Sequence, residues 1–471
     1  MTKLSKLNIN EIERNGQWND IDPEITGIET NSTRVEKGNI FLAKAGATKN
    51  SHGVLFSNQA IERGASLVIT DPEGLKLALE KDLKPTIPFL LVRNLESTFD
   101  YLCQIFYPDK PKFVMGVTGT NGKTSVVNFS QQLIEKKNNS CVTIGTLGVG
   151  GVLSLRTDNT TPDQSFIARI LQMAKLKGAN HALLEVSSHS IVQKRIKNLA
   201  FNVFCFTNLS QDHLDYHKDM ETYFHAKLSI LDMLSLDTTI IVNIDDEFGK
   251  IFLAKAIDKG FKIETIGFSD KADVRLRVTQ GTPDIQFIEI IRGKFFYAFQ
   301  THLIGAFQAI NLGMALLTCE KFGFEFEDIV NSCNSLKPVP GRLEFVGKTK
   351  KGALVYIDFA HTPDALKHLL ETLRELTKGE LVLVFGAGGE RDKDKRKPMG
   401  AIAYKYCDLI YVTDDNPRYE DAKFIRKQII EGCPIAIEIE DRAEAITTAI
   451  QLARLDDVVI IAGKGHEQVQ I

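Results

Sequence analysis

The sequence has little that would tie it to an oxidising compartment, a membrane or a polyanion. Its seven cysteines (Cys103, Cys141, Cys205, Cys319, Cys333, Cys407 and Cys433) are odd in number and scattered. No C-x-x-C pair occurs, which argues against a disulfide framework and a zinc site and fits a reducing compartment. The opening stretch MTKLSKLNINEIERNG lacks the apolar segment of a secretory leader. No run of about 18 apolar residues occurs anywhere, so no membrane partner is expected. An excess of one charge is missing too: 57 Lys and Arg stand against 60 Asp and Glu, a net charge of −3. Without a basic surplus, nucleic acid is not expected as a main ligand. No internal repeat or low-complexity tract stands out. What remains is an ordinary globular composition, 25% charged and 43% hydrophobic. A soluble, cytoplasmic protein is the expectation.

A chain of 471 residues is too long for one core. At about 150 residues per domain it suggests three. Residues 1–94 hold short apolar strands, GNIFLAKAG and ASLVITD, around a helix-like NQAIERGA. Residues 95–337 begin with a Pro-marked stretch ending in YPDKPK. There FVMGVTG, CVTIGT, HALLEVSS, FNVFCFTNL and TIIVNID alternate with helical segments, Lys123 to Glu135 among them. Continuous apolar runs between helices predict a parallel sheet covered on both faces. VRLRVTQ, IQFIEIIRG and KFFYAFQ read as antiparallel strands, followed by a helix from Gln308 to Lys321. After the breaker LKPVPGR, residues 338–471 repeat the strand-helix rhythm, predicting a second doubly wound sheet. The fold class is therefore α/β with three domains: a small N-terminal one, a central P-loop-type domain and a C-terminal Rossmann-like domain.

The most informative stretch is FVMGVTGTNGKTSVV, residues 113–127. An ordinary P-loop reads G-x-x-x-x-G-K-[ST]. Here the glycines fall at Gly116, Gly119 and Gly122, and Val117 occupies the place of the first one. The chemistry still suits phosphate. Glycines let backbone N–H groups of Thr118, Thr120 and Asn121 approach an anion, and a helix N-terminus follows. Lys123 neutralises charge and the Thr124 hydroxyl can hold Mg²⁺. A tight strand-to-helix turn with a chance Lys-Thr is the plainer alternative.

Other polar clusters follow strand ends. Glu185 closes the apolar run HALLE, where a buried carboxylate needs a partner or a metal. TNLSQDHLDYH offers Asp212 and His213 for metal or phosphate, although a lone histidine is more often structural. Lys227 sits mid-helix, and spacing alone makes it a solvated lysine. Arg342 follows Pro340-Gly341. Asp358 and His361 close a strand as nucleotide contacts, while Thr362 and Pro363 begin a helix. In DDNPR, a turn explains Asp415, Asn416 and Pro417 but not Arg418. Arg418, Arg391 and Glu467 would together complement a ligand with carboxylate and ammonium groups, an amino acid. Surface charge is the alternative.

TGTNGKT, EVSSHS-V-Q-R, TNLSQDHLDYH, HAK, H-L-G-F-Q-x-x-N, PGR, DFAHTPDAL, GAGGERD, DNPR and GKGHE occur in the order found in the Mur ligases. The chain resembles that family over nearly its whole length. The resemblance implies ATP-dependent amide ligation through an acyl phosphate, within peptidoglycan precursor synthesis, by a monomer acting on small molecules. It implies an N-terminal domain for the UDP end of a UDP-linked muramoyl dipeptide, with Ser32 in its serine position. Thr160, Thr161, Ser187, Gln193 and Arg195 match positions that hold the dipeptide. Thr124, Glu185 and His213 match Mg²⁺ ligands, and Lys123 the phosphate-binding lysine. Asn311, Arg342, Asp358 and His361 match further nucleotide contacts. Lys227 matches a lysine carried as a CO₂-derived carbamate, which replaces the solvated reading. Arg391, Asp415, Asn416, Pro417, Arg418, Gly463 and Glu467 match the site of the incoming amino acid.

The DNPR form is that of diaminopimelate-adding members. Lysine, lacking the second carboxylate, would leave a buried Arg418 without its anion, at a cost of roughly 3–5 kcal/mol. The chain departs from the family pattern at Asn31-Ser32-Thr33, where Arg34 comes one place late, and at Gln308, where an asparagine is usual. It stops at GHEQVQI, where relatives generally continue through a short further segment, so a chain shortened or incomplete at the edge of the third domain is the expectation. Lysine-adding and D-Ala-D-Ala-adding members, a folylpolyglutamate synthase-like ligase and an inactive ATP-binding paralogue are the rival readings.

Overall fold

The computed structural model describes residues 1–7, 9, 13–14, 21–46, 51–83, 86–282, 284–467 and 469–470. These form two compact units.

The first unit comprises Met1–Lys112, Pro162–Asn180 and Gln193–Leu199. Its five-stranded sheet runs Glu13–Arg14, Phe89–Leu91, Leu67–Thr70, Asn39–Ala43, Gly27–Glu29. All but the first strand are parallel. The middle strands NIFLA and LVIT are buried throughout, as strands covered on both faces must be. The helix Pro72–Glu80 starts where its sequence requires: Asp71 accepts the Gly74 N–H, and Pro72 fills the first turn. Two segments expected in the central domain belong here. The helix Leu95–Phe106 buries Phe99, Leu102 and Cys103 in the same core as Ile28, Ile40 and Leu90. The helix Gln164–Leu176 is joined to it by Ser165, whose hydroxyl donates to Glu29 Oε1 at 2.8 Å. The division therefore falls elsewhere than after residue 94.

The second unit carries two sheets. In the ten-stranded sheet, Cys141–Gly145, His181–Glu185, Phe113–Thr118, Val203–Phe206, Thr239–Asn243 and Lys262–Gly267 are successive parallel neighbours. Val274–Thr282 continues in parallel, and Ile285–Arg292 and Phe295–Thr301 add antiparallel hairpins. The helices Lys123–Lys136 and Ala306–Lys321 share one core, with Val126, Phe129 and Leu133 against Leu312 and Leu316. The second of them is buried almost all round, which its apolar sequence anticipates.

The six-stranded sheet runs Glu344–Lys348, Leu354–Asp358, Val458–Ala462, Leu381–Phe385, Leu409–Val412, Ile437–Glu438. Only its first strand is antiparallel. The segment IAIEIE contributes just Ile437–Glu438, an exposed edge. The carboxyl ends of the central strands bring Asp358, Gly386, Thr413 and Gly463 to one rim, where ligands of such sheets bind.

Candidate active site

A cavity of about 660 Å³ lies within the second unit. One end is the loop after strand Phe113–Thr118. Its glycines answer to different neighbours. Gly122 caps the helix Lys123–Lys136 at φ +89°, and a Cβ there would lie 2.4 Å from Asn311 Oδ1. A Cβ on Gly119 would meet Thr207 Oγ1 at 1.9 Å. Gly116 is different: it lies inside the strand, where a Cβ would strike the rings of Phe204 and Phe201. The loop is fixed by the segment after Val203–Phe206. Thr120 N–H donates to Asn208 O at 2.9 Å and Asn121 N–H to Asn208 Oδ1 at 2.9 Å. Thr207 Oγ1 donates to Asn121 O at 2.6 Å.

Lys123 curls back to donate to Gly119 O and Thr120 O, both at 2.8 Å. Thr124 Oγ1 donates to Glu185 Oε2 at 3.0 Å. Glu185, 1% exposed, also accepts from Thr146 N–H at 2.8 Å and Thr146 Oγ1 at 3.0 Å. Arg342 Nη2 donates to Thr124 Oγ1 at 3.3 Å, and its guanidinium covers the Phe359 ring at 4.3 Å. Asp358 accepts from Ala360 N–H at 2.6 Å, and burial raises its carboxyl against the Arg342 charge. Asn311 Nδ2 donates to Gln308 Oε1 at 3.2 Å, so the departure at 308 leaves that asparagine oriented.

His213 adopts a left-handed backbone (φ 54°), and burial pushes its imidazole down to about 3 despite Asp212. The Asp212 carboxylate lies 3.4 Å from His213 Nε2, 3.7 Å from His361 Nε2 and 4.0 Å from Lys395 Nζ. Burial opposes its ionisation, but the His361 hydrogen bond and the charges of His213 and Lys395 hold it well below the ordinary range. Lys227 is 1% exposed. Its Nζ donates to Gly119 O at 2.9 Å and lies 4.8 Å above the Tyr223 ring.

Part of this donor set suits a hard divalent cation. Thr124 and Glu185 bring a hydroxyl and a carboxylate together, which suits Mg²⁺ with its retained waters. Unmodified Lys227 supplies no oxygen donor. Among the described residues no three His, Cys, Asp or Glu side chains form a ready cage.

The other end of the cavity is the rim of the six-stranded sheet. Asn416 Nδ2 donates to Glu467 Oε2 at 3.0 Å. Arg418, at φ 53°, donates through Nη1 to Gly389 O at 2.6 Å, tying DNPR to the glycine loop. Arg391, Asp415, Gly463 and Glu467 share this wall. Arg391 and Arg418 are both exposed. The buried-arginine penalty expected from the sequence therefore does not apply to Arg418 as it stands here.

Several expected residues are elsewhere. Gly116, Thr118, Gly119, Thr161, Ser187, Lys227 and Pro417 do not line the cavity. Thr161 is turned into the fold, donating to Glu185 O at 2.8 Å and accepting the Ser187 N–H at 3.0 Å. Thr160 does line it, with Oγ1 3.2 Å from Thr146 Oγ1. Ser32, Gln193 and Arg195 belong to the first unit. Ser32 Oγ donates to Gln59 Oε1 at 2.6 Å, and Arg195 Nη2 donates to Gln193 Oε1 at 2.6 Å. Arg34, the displaced arginine, pairs with Asp163 at 3.2 Å. Sequence reasoning missed Thr146, Asp246, Asp364, His368 and Lys395, all on the cavity wall. Two carried a signal: Lys395 inside the charged run RDKDKRK, and Asp364 inside DFAHTPDAL.

Comparison with known proteins bears on this arrangement. Residues 117–319 match the Mur ligase middle domain, and residues 341–465 match the Mur ligase, glutamate ligase domain. The chain belongs to the Mur ligase family. It is 37% identical over 458 residues to the UDP-N-acetylmuramoyl-L-alanyl-D-glutamate–2,6-diaminopimelate ligase of Caulobacter vibrioides, covering 96% of this chain and 92% of the relative. A solved structure of a ligase of that name is similar at TM-score 0.66 and 30% identity, covering 95% of this chain and 91% of that one. The MurF ligase of Thermotoga maritima in complex with ADP shares the fold at TM-score 0.66 and 19% identity, covering 93% of each chain.

Proposed function

We propose that the chain is an ATP-dependent amide ligase of peptidoglycan precursor synthesis. It joins meso-2,6-diaminopimelate to the D-Glu carboxylate of UDP-N-acetylmuramoyl-L-Ala-D-Glu and releases ADP and phosphate. One observation carries the reading. A phosphate-type loop with Glu185 and Arg342, and a wall with two arginines and two carboxylates, line a single cavity. The name of the Caulobacter relative supports the choice of substrates.

In this reading the γ-phosphoryl group passes to a carboxylate oxygen of D-Glu, forming an acyl phosphate as the bond to ADP breaks. The amine of diaminopimelate then attacks the acyl carbon. A C–N bond forms, the C–O bond to phosphate breaks, and the nitrogen loses a proton. Lys123 and Arg342 bring fixed positive charge to the transferring group, so little reorganisation accompanies the reaction. Thr124, Glu185, His213 and a carbamate on Lys227 would hold Mg²⁺, which neutralises phosphate oxygens when bound. Asn311, Asp358 and His361 orient the nucleotide. Ser32, Thr160, Thr161, Ser187, Gln193 and Arg195 serve the UDP-muramoyl dipeptide, Thr161 and Ser187 by shaping the backbone. Arg391, Asp415, Asn416, Arg418, Gly463 and Glu467 take the amino acid.

The reading includes a monomer acting in the cytoplasm. No helix among the described residues is long and apolar enough to cross a membrane. The seven cysteines are buried free thiols.

The test is phosphate release with ATP, Mg²⁺ and UDP-N-acetylmuramoyl-L-Ala-D-Glu, offering meso-diaminopimelate or L-lysine in parallel. Release with diaminopimelate alone is expected. Preference for lysine would keep the ligase and discard the specificity. Release with neither would remove the reading.

A further inference from the structure

Behind the amino-acid end of the cavity lies a lysine with no role so far. Lys464 follows the strand Val458–Ala462 between two glycines, and its side chain is 12% exposed. Nζ donates to Asn416 Oδ1 at 2.9 Å and to Glu467 Oε2 at 3.1 Å. Asn416 Nδ2 donates to that same Glu467 oxygen at 3.0 Å. Side chains from two strand ends thus close a ring of three. The ring sets the Asn416 amide: its carbonyl faces the ammonium, so its N–H₂ faces the carboxylate. A second cation backs the other carboxylate. Arg442 is buried, donates to Ala462 O at 2.8 Å and interacts with the charges of Asp415 and Glu467.

We propose that Lys464 is a positioning and specificity-determining residue for the incoming amino acid. It holds Asn416 and Glu467 in register and offsets the Glu467 charge. With each carboxylate backed by a cation, Arg391 and Arg418 dominate the field at the wall. That field favours an amino acid with more carboxylates than ammonium groups. Diaminopimelate, with one amine neutral for attack, carries two carboxylates and one ammonium. Lysine in the same state carries one of each. Lys464 thereby acts through its neighbours to favour the former. The inference rests on the functional reading above.

The test compares wild type with Lys464→Met and Lys464→Arg in the full chain, using phosphate release. Lys464→Met is expected to raise KM for diaminopimelate about tenfold, the size of one hydrogen bond to a charged group. It should lower the diaminopimelate-over-lysine ratio of kcat/KM by a similar factor while KM for ATP changes by less than about twofold. Lys464→Arg keeps the charge and should restore most of that ratio. In a Glu467→Gln background, Lys464→Met should add less than about threefold, because the residue acts through Glu467. An unchanged ratio in Lys464→Met, or equal losses for ATP and amino acid, would overturn the proposal. So would full additivity with Glu467→Gln. If wild type itself releases no phosphate with diaminopimelate, the functional reading fails and this inference with it. If wild type does and the ratio stays fixed in the variants, only this inference fails.

Discussion

Lys123 and Lys227 donate to one and the same carbonyl oxygen, that of Gly119, at 2.8 and 2.9 Å. Two lysines from different helices share one neutral acceptor in a buried place. Burial pushes the Lys227 ammonium well below the ordinary lysine range, and the Lys123 charge adds to that against Asp212. A buried lysine of this kind favours the neutral amine, the form that captures CO₂. Carbamate formation makes a C–N bond, releases a proton and converts a repelling cation into an anion beside Lys123.

Lys227→Ala should therefore lose roughly a hundredfold or more in kcat, the scale of removing one preorganised charge contact. Short carboxylic acids added to the assay should restore part of it. Wild type incubated with ¹³C-bicarbonate should show a carbamate resonance that the variant lacks. Full activity in the variant would reject the role.

Arg418→Ala should raise KM for diaminopimelate by about tenfold or more while leaving ATP affinity unchanged. The guanidinium is exposed and donates to backbone carbonyls, that of Gly389 foremost. Its loss should cost little stability. Equal losses for both ligands would remove Arg418 from the amino-acid site.

Two glycines in one motif should fail differently. Gly122→Ala places a Cβ against Asn311 at a backbone angle that disfavours side chains, costing about 1–3 kcal/mol. It should also weaken ATP binding by calorimetry. Gly116→Ala pushes into the rings of Phe204 and Phe201, away from the cavity. Its melting temperature should fall while ATP affinity of the folded fraction is retained.

His217 gives a pH signature. It is buried with Nε2 2.8 Å from Ser188 Oγ, and burial above all pushes it down to about 4. The unfolded chain, near the ordinary 6.5, binds more protons between those values. Stability is thus full above pH 6.5 and declines as pH falls toward 4, by up to about 1.4 kcal/mol per unit from this residue. Urea unfolding of His217→Gln should show a flatter dependence over that window. Parallel curves would mean the imidazole is not held neutral.

The parallel strands were readable from the sequence because both their faces are covered, so HALLE and TIIVN keep continuous apolar centres. The strand-turn-helix around Gly122 was readable because its glycine and helix-start signals are local. Burial of Lys227 was not: one lysine in a helix carries no sign of which face it occupies, and only the family resemblance assigned it. Residues 95–106 and 164–176 were assigned to the central block because order along the chain does not tell which core a segment's buried face joins. Lys395 and Asp246 reach the cavity through distant packing, which spacing along the chain does not encode.

Arg342 ends the segment that leads from the ten-stranded sheet into the six-stranded one, and its guanidinium rests on the Thr124 hydroxyl. The joint between the two sheets is thus itself a wall of the cavity. A ligand seated in the loop around Gly122 and Lys123 would therefore touch that joint. Any coupling that this contact carries between the loop and the rim of the six-stranded sheet is equal in size in either direction.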